Sequence, residues 1–233
     1  MDARATPAAP ARLAGFDVRA AIVDLDGTLI DTLGDFHAAL GGMLGELGLP
    51  SIAREQVETR IGKGSEYLVL QTLRLHLDDA TADARFAEAI ATYQRHYGRI
   101  NGRFSNPFPG VPEGLAALRD AGLTLACITN KPTAYARELL ELKGLRDHFV
   151  AVNGGDAFAR KKPDPMPLVE TCRQLGLPPA EVMMIGDSQN DALAARAAGC
   201  PVALVTYGYN HGEPVRAVDA DAFADRIGDL LAA

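Results

Sequence analysis

Ala20-Ala21-Ile22-Val23-Asp24-Leu25-Asp26-Gly27-Thr28 is an apolar run that ends abruptly in two carboxylates and a glycine. A short apolar segment without polar interruption suits a strand covered on both faces, as in parallel sheets. Asp24 and Asp26 are two residues apart, so in extended backbone their side chains leave the same face. Two neighbouring carboxylates repel each other and favour a cation nearby.

Outward from this run, four similar segments follow: Leu123–Thr129, Phe149–Asn153, Val182–Ile185 and Val202–Thr206. Helical spacing separates most of them. Glu113–Ala121 leads into the second run and Ala134–Leu142 follows it; Pro165–Leu175 precedes the fourth and Asp191–Ala198 follows that. The alternation predicts an α/β fold with a doubly wound, Rossmann-like parallel sheet. Asp221–Leu231 reads as a closing helix. Between Leu25 and Leu123 no strand is apparent, although a crossover needs only about a dozen residues. Three apolar helical faces fill the gap: Phe36, Leu40, Met43, Leu44 and Leu47; Tyr67, Leu68, Leu70 and Leu75; Phe86, Ile90, Tyr93 and Tyr97. The expected organisation is a core domain over 18–33 and 105–233, an inserted helical cap domain at 34–104, and a flexible N-terminal tail at 1–17. Asn106-Pro107-Phe108-Pro109-Gly110 reads as the return linker.

The composition is that of a globular chain: 233 residues, 48% hydrophobic and 23% charged. A net charge of -7 argues against wrapping nucleic acid, yet a few local cations can still draw a small anion into a pocket. Cys127, Cys172 and Cys200 form no CxxC, which suits reduced thiols and a cytoplasmic setting. No apolar run reaches the ~18 residues that span a bilayer, so no membrane partner is expected. The five histidines (His37, His76, His96, His148, His211) share no ligand spacing, which argues against a transition-metal site.

Ligands of open α/β sheets bind beyond the carboxyl ends of the strands. Those ends carry Asp24-Leu25-Asp26-Gly27-Thr28, Thr129-Asn130-Lys131, Gly154-Gly155-Asp156 followed by Lys161-Lys162-Pro163-Asp164-Pro165, and Gly186-Asp187-Ser188-Gln189-Asn190-Asp191. Of the first pair, one carboxylate can attack phosphorus while the other moves protons. Asp187 adds a third carboxylate, and an all-oxygen set suits Mg²⁺. Thr129 and Asn130 can donate to phosphoryl oxygens, and Lys162 can offset negative charge. Read singly, Asp187 is also a plausible helix N-cap, Asp191 a first-turn helix acid and Lys162 a surface cation.

Together, Asp24-x-Asp26-Gly27-Thr28, Thr129-Asn130, Lys162-Pro163 and Gly186-Asp187-Ser188-x-x-Asp191 resemble the haloacid dehalogenase (HAD) superfamily of phosphohydrolases, and the insertion resembles its helical C1-type cap. The resemblance implies Asp24 as nucleophile, Asp26 as general acid and base, and Lys162 as the catalytic lysine in preference to Lys161. It implies Mg²⁺ held by Asp24, the Asp26 backbone carbonyl and Asp187, with Asp191 steadying the site from behind. A narrower resemblance within the family rests on Ile61-Gly62-Lys63-Gly64, Phe108-Pro109-Gly110-Val111, Gly154-Gly155-Asp156 and Thr206–Pro214. It implies 2-phosphoglycolate as the substrate. Arg60 and Lys63, in a glycine-containing loop of the insertion, are candidates for reading the substrate carboxylate; the alternative is an exposed charged loop. Tyr207–Pro214 serves as a family marker, without a catalytic role. The other functions in view are a sugar phosphatase, a phosphate mutase, a phosphonate hydrolase, a dehalogenase, or a catalytically silent binding protein. Either a monomer or a homodimer is compatible with the sequence.

Overall fold

The computed structural model describes residues 10–231. The chain opens with β1 (Ala11–Leu13) and β2 (Phe16–Val18), then enters β3 (Ala20–Val23) and the short β4 (Ile30–Asp31). Four helices follow: α1 (Leu33–Glu46), α2 (Arg54–Glu58), α3 (Ser65–Leu73) and α4 (Asp79–Ile100). The chain returns through β5 (Asn106–Pro107) and α5 (Val111–Asp120) to β6 (Thr124–Ile128), α6 (Thr133–Leu142) and β7 (Ala151–Asn153). It ends with α7 (Met166–Leu175), β8 (Val182–Gly186), α8 (Gln189–Ala198), β9 (Val202–Val205) and β10 (Ala222–Ala224).

Six strands form one sheet in the order β10-β9-β8-β3-β6-β7, all parallel. β3 is central, with Val23 in register with Cys127 of β6 and Ile185 of β8. The chain first builds outward from β3 through β6 and β7, then crosses to the other side for β8. The switch point therefore falls at the carboxyl end of β3, where Asp24 begins. Apolar clusters cover both faces of the sheet. Val23, Leu125, Cys127 and Ile185 belong to one; Ile22, Ala126, Met184 and Leu204 belong to the other.

Two expectations at the ends of the chain need correction. Residues 11–18 form an antiparallel hairpin rather than part of a loose tail over 1–17; residues 1–9 lie outside the described residues. Leu13 and Val18 are fully buried, and the Ala14 N–H donates to the Leu230 carbonyl, so burial and hydrogen bonding tie the segment down. Its two turn residues, Ala14 and Gly15, both have positive φ, as a tight hairpin requires. The expected closing helix is instead the edge strand β10 followed by a single tight turn at Ile227–Leu231. Ile227 and Leu230 still bury together, so the helical spacing was a real signal but covers only that turn.

Helices α1–α4 share an apolar cluster of their own, in which Leu40, Met43, Leu44, Val69 and Leu73 are fully buried. The faces read from the sequence for α1 and α4 point into it. Entry to and exit from this helical unit are paired: β4 and β5 form an antiparallel ribbon, Ile30 opposite Pro107 and Asp31 opposite Asn106. Above that neck, the buried Asp35 carboxylate accepts from the Gly102 N–H (2.7 Å), the Phe104 N–H (2.6 Å) and the Ser105 hydroxyl (2.7 Å). No helix among the described residues is long and apolar enough to cross a membrane.

Candidate active site

Asp24 follows directly on β3, and its backbone N–H donates to the Ile185 carbonyl of β8 (2.9 Å). The chain then doubles back, the Leu29 and Ile30 N–H groups both donating to the Leu25 carbonyl. This tight loop holds Asp24 and Asp26 at the mouth of the sheet, both buried. Lys162 lies 2.8 Å from Asp24 Oδ1 and 2.6 Å from Asp191 Oδ1, and donates to the Ile128 carbonyl (3.2 Å). Burial works against its charge, but the Asp191 and Asp24 carboxylates outweigh burial and raise its pKa. Lys161, the rival in sequence, instead pairs with Glu66 of α3 (2.8 Å).

Asp191 is held from three sides. Its Oδ2 accepts from the N–H groups of Asp187 and Ser188 (3.2 Å each) and from the Ser188 hydroxyl (2.9 Å). The helix cap is therefore the Ser188–Asp191 pair, which leaves the Asp187 side chain for other work. Asp187 Oδ1 accepts from the Thr28 hydroxyl (3.1 Å), and Oδ2 from the Tyr209 N–H (2.6 Å). The Tyr207–Pro214 run thus has a structural role, since one of its backbone amides orients Asp187.

Carboxylate oxygens of Asp24, Asp187 and Asp191 lie within 4.8 Å of one another. Desolvation by burial pushes the Asp24 carboxyl up to about 7, partly opposed by Lys162 and reinforced by Asp191. Desolvation also raises Asp187 well above the carboxylate range, and the Asp191 and Asp24 charges add to it. A buried site that raises both Asp24 and Asp187 fits a divalent cation, and the donors are all hard oxygens. Asp24 and Asp187 are the better candidate donors, since both oxygens of Asp191 are engaged by Lys162 and the α8 cap.

A narrow cavity of about 30 Å³ lies between this loop and the helical unit. Its walls include Asp24, Asp26, Thr129, Asn130 and Lys131 from the core, and Phe36, Leu68, Tyr93 and Tyr97 from the helices. Thr129 lines it with its hydroxyl accepting from the Lys131 N–H (3.2 Å). The Asn130 side chain is otherwise engaged than expected. Its Nδ2 donates to the Gly62 carbonyl (2.9 Å) and the Lys162 carbonyl (2.8 Å), so both amide protons serve structure. Its backbone N–H has no partner among the described residues and is the better donor for a phosphoryl oxygen.

Arg60 and Lys63 are not brought to the cavity wall. Arg60 donates to the Gln56 carbonyl and the Thr59 hydroxyl on its own helical turn, and Lys63 sits 5.1 Å over the Tyr67 ring. The cation that does line the cavity is Lys131, a residue of the strand-end motif to which sequence reasoning assigns no role. Its ammonium is buried 2.9 Å from Asp26 Oδ1. Gly154-Gly155-Asp156 explains how that loop is set: the Gly155 N–H donates to the Lys131 carbonyl (2.9 Å), and Asp156 caps α6 through the Thr133 N–H (2.8 Å).

A family model described as haloacid dehalogenase-like hydrolase matches residues 21–205. A phosphoglycolate phosphatase of Thiobacillus denitrificans is 46% identical over 212 residues, covering 91% of this chain and 93% of its own. One from Vibrio vulnificus is 38% identical over 217 residues, with 92% and 95% covered. The crystal structure of a predicted phosphoglycolate phosphatase from Haemophilus somnus 129pt superposes with a TM-score of 0.87 at 32% identity, covering 92% of this chain and 97% of that one.

Proposed function

The chain belongs to the haloacid dehalogenase-like hydrolase family, and from that premise we propose that it is a phosphatase converting 2-phosphoglycolate to glycolate and phosphate. The observation that carries this reading is the meeting of Asp24, Lys162 and Asp187 at the switch point of the sheet, beside a cavity whose wall holds Asp26. The relatives' names supply the substrate.

In the proposed cycle Asp24 attacks phosphorus, forming an aspartyl phosphate as the ester oxygen departs. Asp26 gives that oxygen its proton, then takes one from the water that hydrolyses the acyl phosphate. Lys162, 2.8 Å from Asp24 Oδ1, balances charge on the nucleophile and on the phosphoryl oxygens beside it. The Asn130 backbone N–H and the Thr129 hydroxyl donate to those oxygens. Asp24, the Asp26 backbone carbonyl and Asp187 would hold Mg²⁺, which when bound neutralises charge on the transferring phosphoryl group. Helices α1, α3 and α4 exclude bulk water from the acyl phosphate. We assign the protein to the cytoplasm, where Cys127, Cys172 and Cys200, all buried and free, would stay reduced.

The test is a panel of phosphate monoesters with Mg²⁺, ranked by kcat/KM, on wild type and Asp24→Asn. 2-Phosphoglycolate is expected to lead hexose phosphates and aryl phosphates. Asp24→Asn is expected to lose phosphate release and phosphoenzyme labelling by at least about a thousandfold. Substantial turnover by Asp24→Asn free of deamidated protein would refute the nucleophile, and a hexose phosphate at the head of the ranking would refute the substrate. A silent binding protein would release no phosphate from any ester.

A further inference from the structure

In 2-phosphoglycolate the carboxylate is one methylene from the ester oxygen. Whatever group protonates that oxygen therefore has the group that reads the carboxylate as its near neighbour. Asp26 is the proposed proton donor, and its neighbour is Lys131, at 2.9 Å. Lys131 is the one lysine or arginine among the described residues that line the cavity. An ammonium has three N–H donors, and one of them serves Asp26. Beyond Asp26, the ammonium meets aromatic faces, 4.3 Å from the Phe36 ring centre and 4.9 Å from that of Tyr97. Such faces attract a cation without occupying its N–H donors.

A second group independently asks for a ligand. Tyr97 lines the same cavity, is 2% exposed, and its buried hydroxyl has no hydrogen-bond partner among the described residues. An unpaired buried hydroxyl costs free energy until something accepts from it. A carboxylate is the acceptor that satisfies both the Tyr97 hydroxyl and the free donors of Lys131.

Resting on the phosphatase reading above, we propose that Lys131 and Tyr97 are the specificity pair that binds the carboxylate of the substrate, in place of Arg60 and Lys63. Lys131 keeps Asp26 at the ester oxygen with one donor and takes the carboxylate with the others. The residues that read the substrate thus come from both units: Lys131 from the loop after β6, and Tyr97 from the last turns of α4. Phe36 and Tyr97 wall the carboxylate from water, which strengthens the ion pair.

The experiment compares 2-phosphoglycolate with ethyl phosphate, which has the same reach but a methyl in place of the carboxylate. Wild type is expected to favour 2-phosphoglycolate. Lys131→Gln is expected to slow both esters, because Asp26 loses its partner, but to shrink the preference by about tenfold or more, the size of a lost charge-assisted hydrogen bond. Tyr97→Phe is expected to shrink it severalfold, chiefly through KM. Equal losses on both esters, or a wild type without preference, would overturn the proposal.

A binding arm separates this from the broader reading. In Asp24→Asn, adding Lys131→Gln is expected to raise the Kd for 2-phosphoglycolate by about tenfold while leaving that for ethyl phosphate within about twofold. An unchanged Kd for 2-phosphoglycolate sinks the carboxylate role even if turnover falls. A wild type that hydrolyses neither ester sinks the phosphatase reading instead, and the Kd comparison still decides the pair. Should Lys131→Gln fail to fold, Tyr97→Phe carries both arms.

Discussion

A methyl group on residue 27 would lie 2.2 Å from Asp187 Oδ2, and Gly27 has φ +88°. A Cβ at residue 208 would likewise lie 2.2 Å from the Asp187 Cβ. Two glycines thus form the slot in which Asp187 stands, so the slot has no room for any side chain. Gly27→Ala is expected to push the Asp187 carboxylate aside, raising the Mg²⁺ concentration for half-maximal activity and lowering kcat/KM by about a hundredfold or more. A metal titration of the variant checks this, and an unchanged titration midpoint would count against Asp187 as a ligand. Asp24, Asp26 and Asp187 were legible in the sequence because each sits at the end of an apolar run, and a buried strand leaves few reasons to end in charge; Lys162, nine residues beyond β7, was legible only through its resemblance to a motif. Lys131 was as visible but less interpretable, since only the fold shows that its ammonium turns inward to Asp26. Arg60 was over-read for the converse reason: a loop glycine shows that a turn exists, not which way its neighbours point.

At the scale of elements, the weak point is the neck of the helical unit. Asp35 sits on the buried face of α1 and gathers three donors from residues 102–105. Removing its fully buried carboxylate leaves two backbone N–H groups and the buried Ser105 hydroxyl without their acceptor. Asp35→Ala is expected to cost about 3 kcal/mol. The loss is expected to appear as a lower denaturant midpoint and as faster proteolysis within 101–106, with Asp35→Asn intermediate. Unchanged proteolysis would mean that the ribbon β4–β5 holds the neck unaided. The signal for Asp35 was a charge interrupting an apolar helical face, easily taken for ordinary surface. The edge strand β10 escaped the sequence reading for another reason: three residues, Ala-Phe-Ala, carry too little periodicity to be told from a helix that continues into Ile227 and Leu230. The hairpin β1–β2 was missed because its Ala- and Arg-rich surroundings mask two core residues, Leu13 and Val18.

For the molecule as a whole, the buried acids link folding to pH. The folded Asp24 holds its proton up to about 7, against 3.8 ordinarily, so the folded state binds more protons than the unfolded state between those values. Stability of the metal-free protein is then expected to fall as pH rises through that window, the reverse of a paired carboxylate. A Mg²⁺ ion held by these acids would compete with those protons, so the stabilising effect of added Mg²⁺ is expected to grow from about pH 6 to about pH 8. Thermal melts with Mg²⁺ and with chelator across this range test it; a chelator effect independent of pH would contradict the linkage. The β4–β5 ribbon has a different kind of consequence. Because the chain leaves the sheet and returns to it through directly paired residues, Ile30 with Pro107 and Asp31 with Asn106, the span between them behaves as a cassette. A short turn in its place would close the same hairpin and leave the order of the six strands untouched. Replacing what stands on the neck would therefore change the α1–α4 wall of the cavity while leaving Asp24, Asp187 and Lys162 where the sheet sets them.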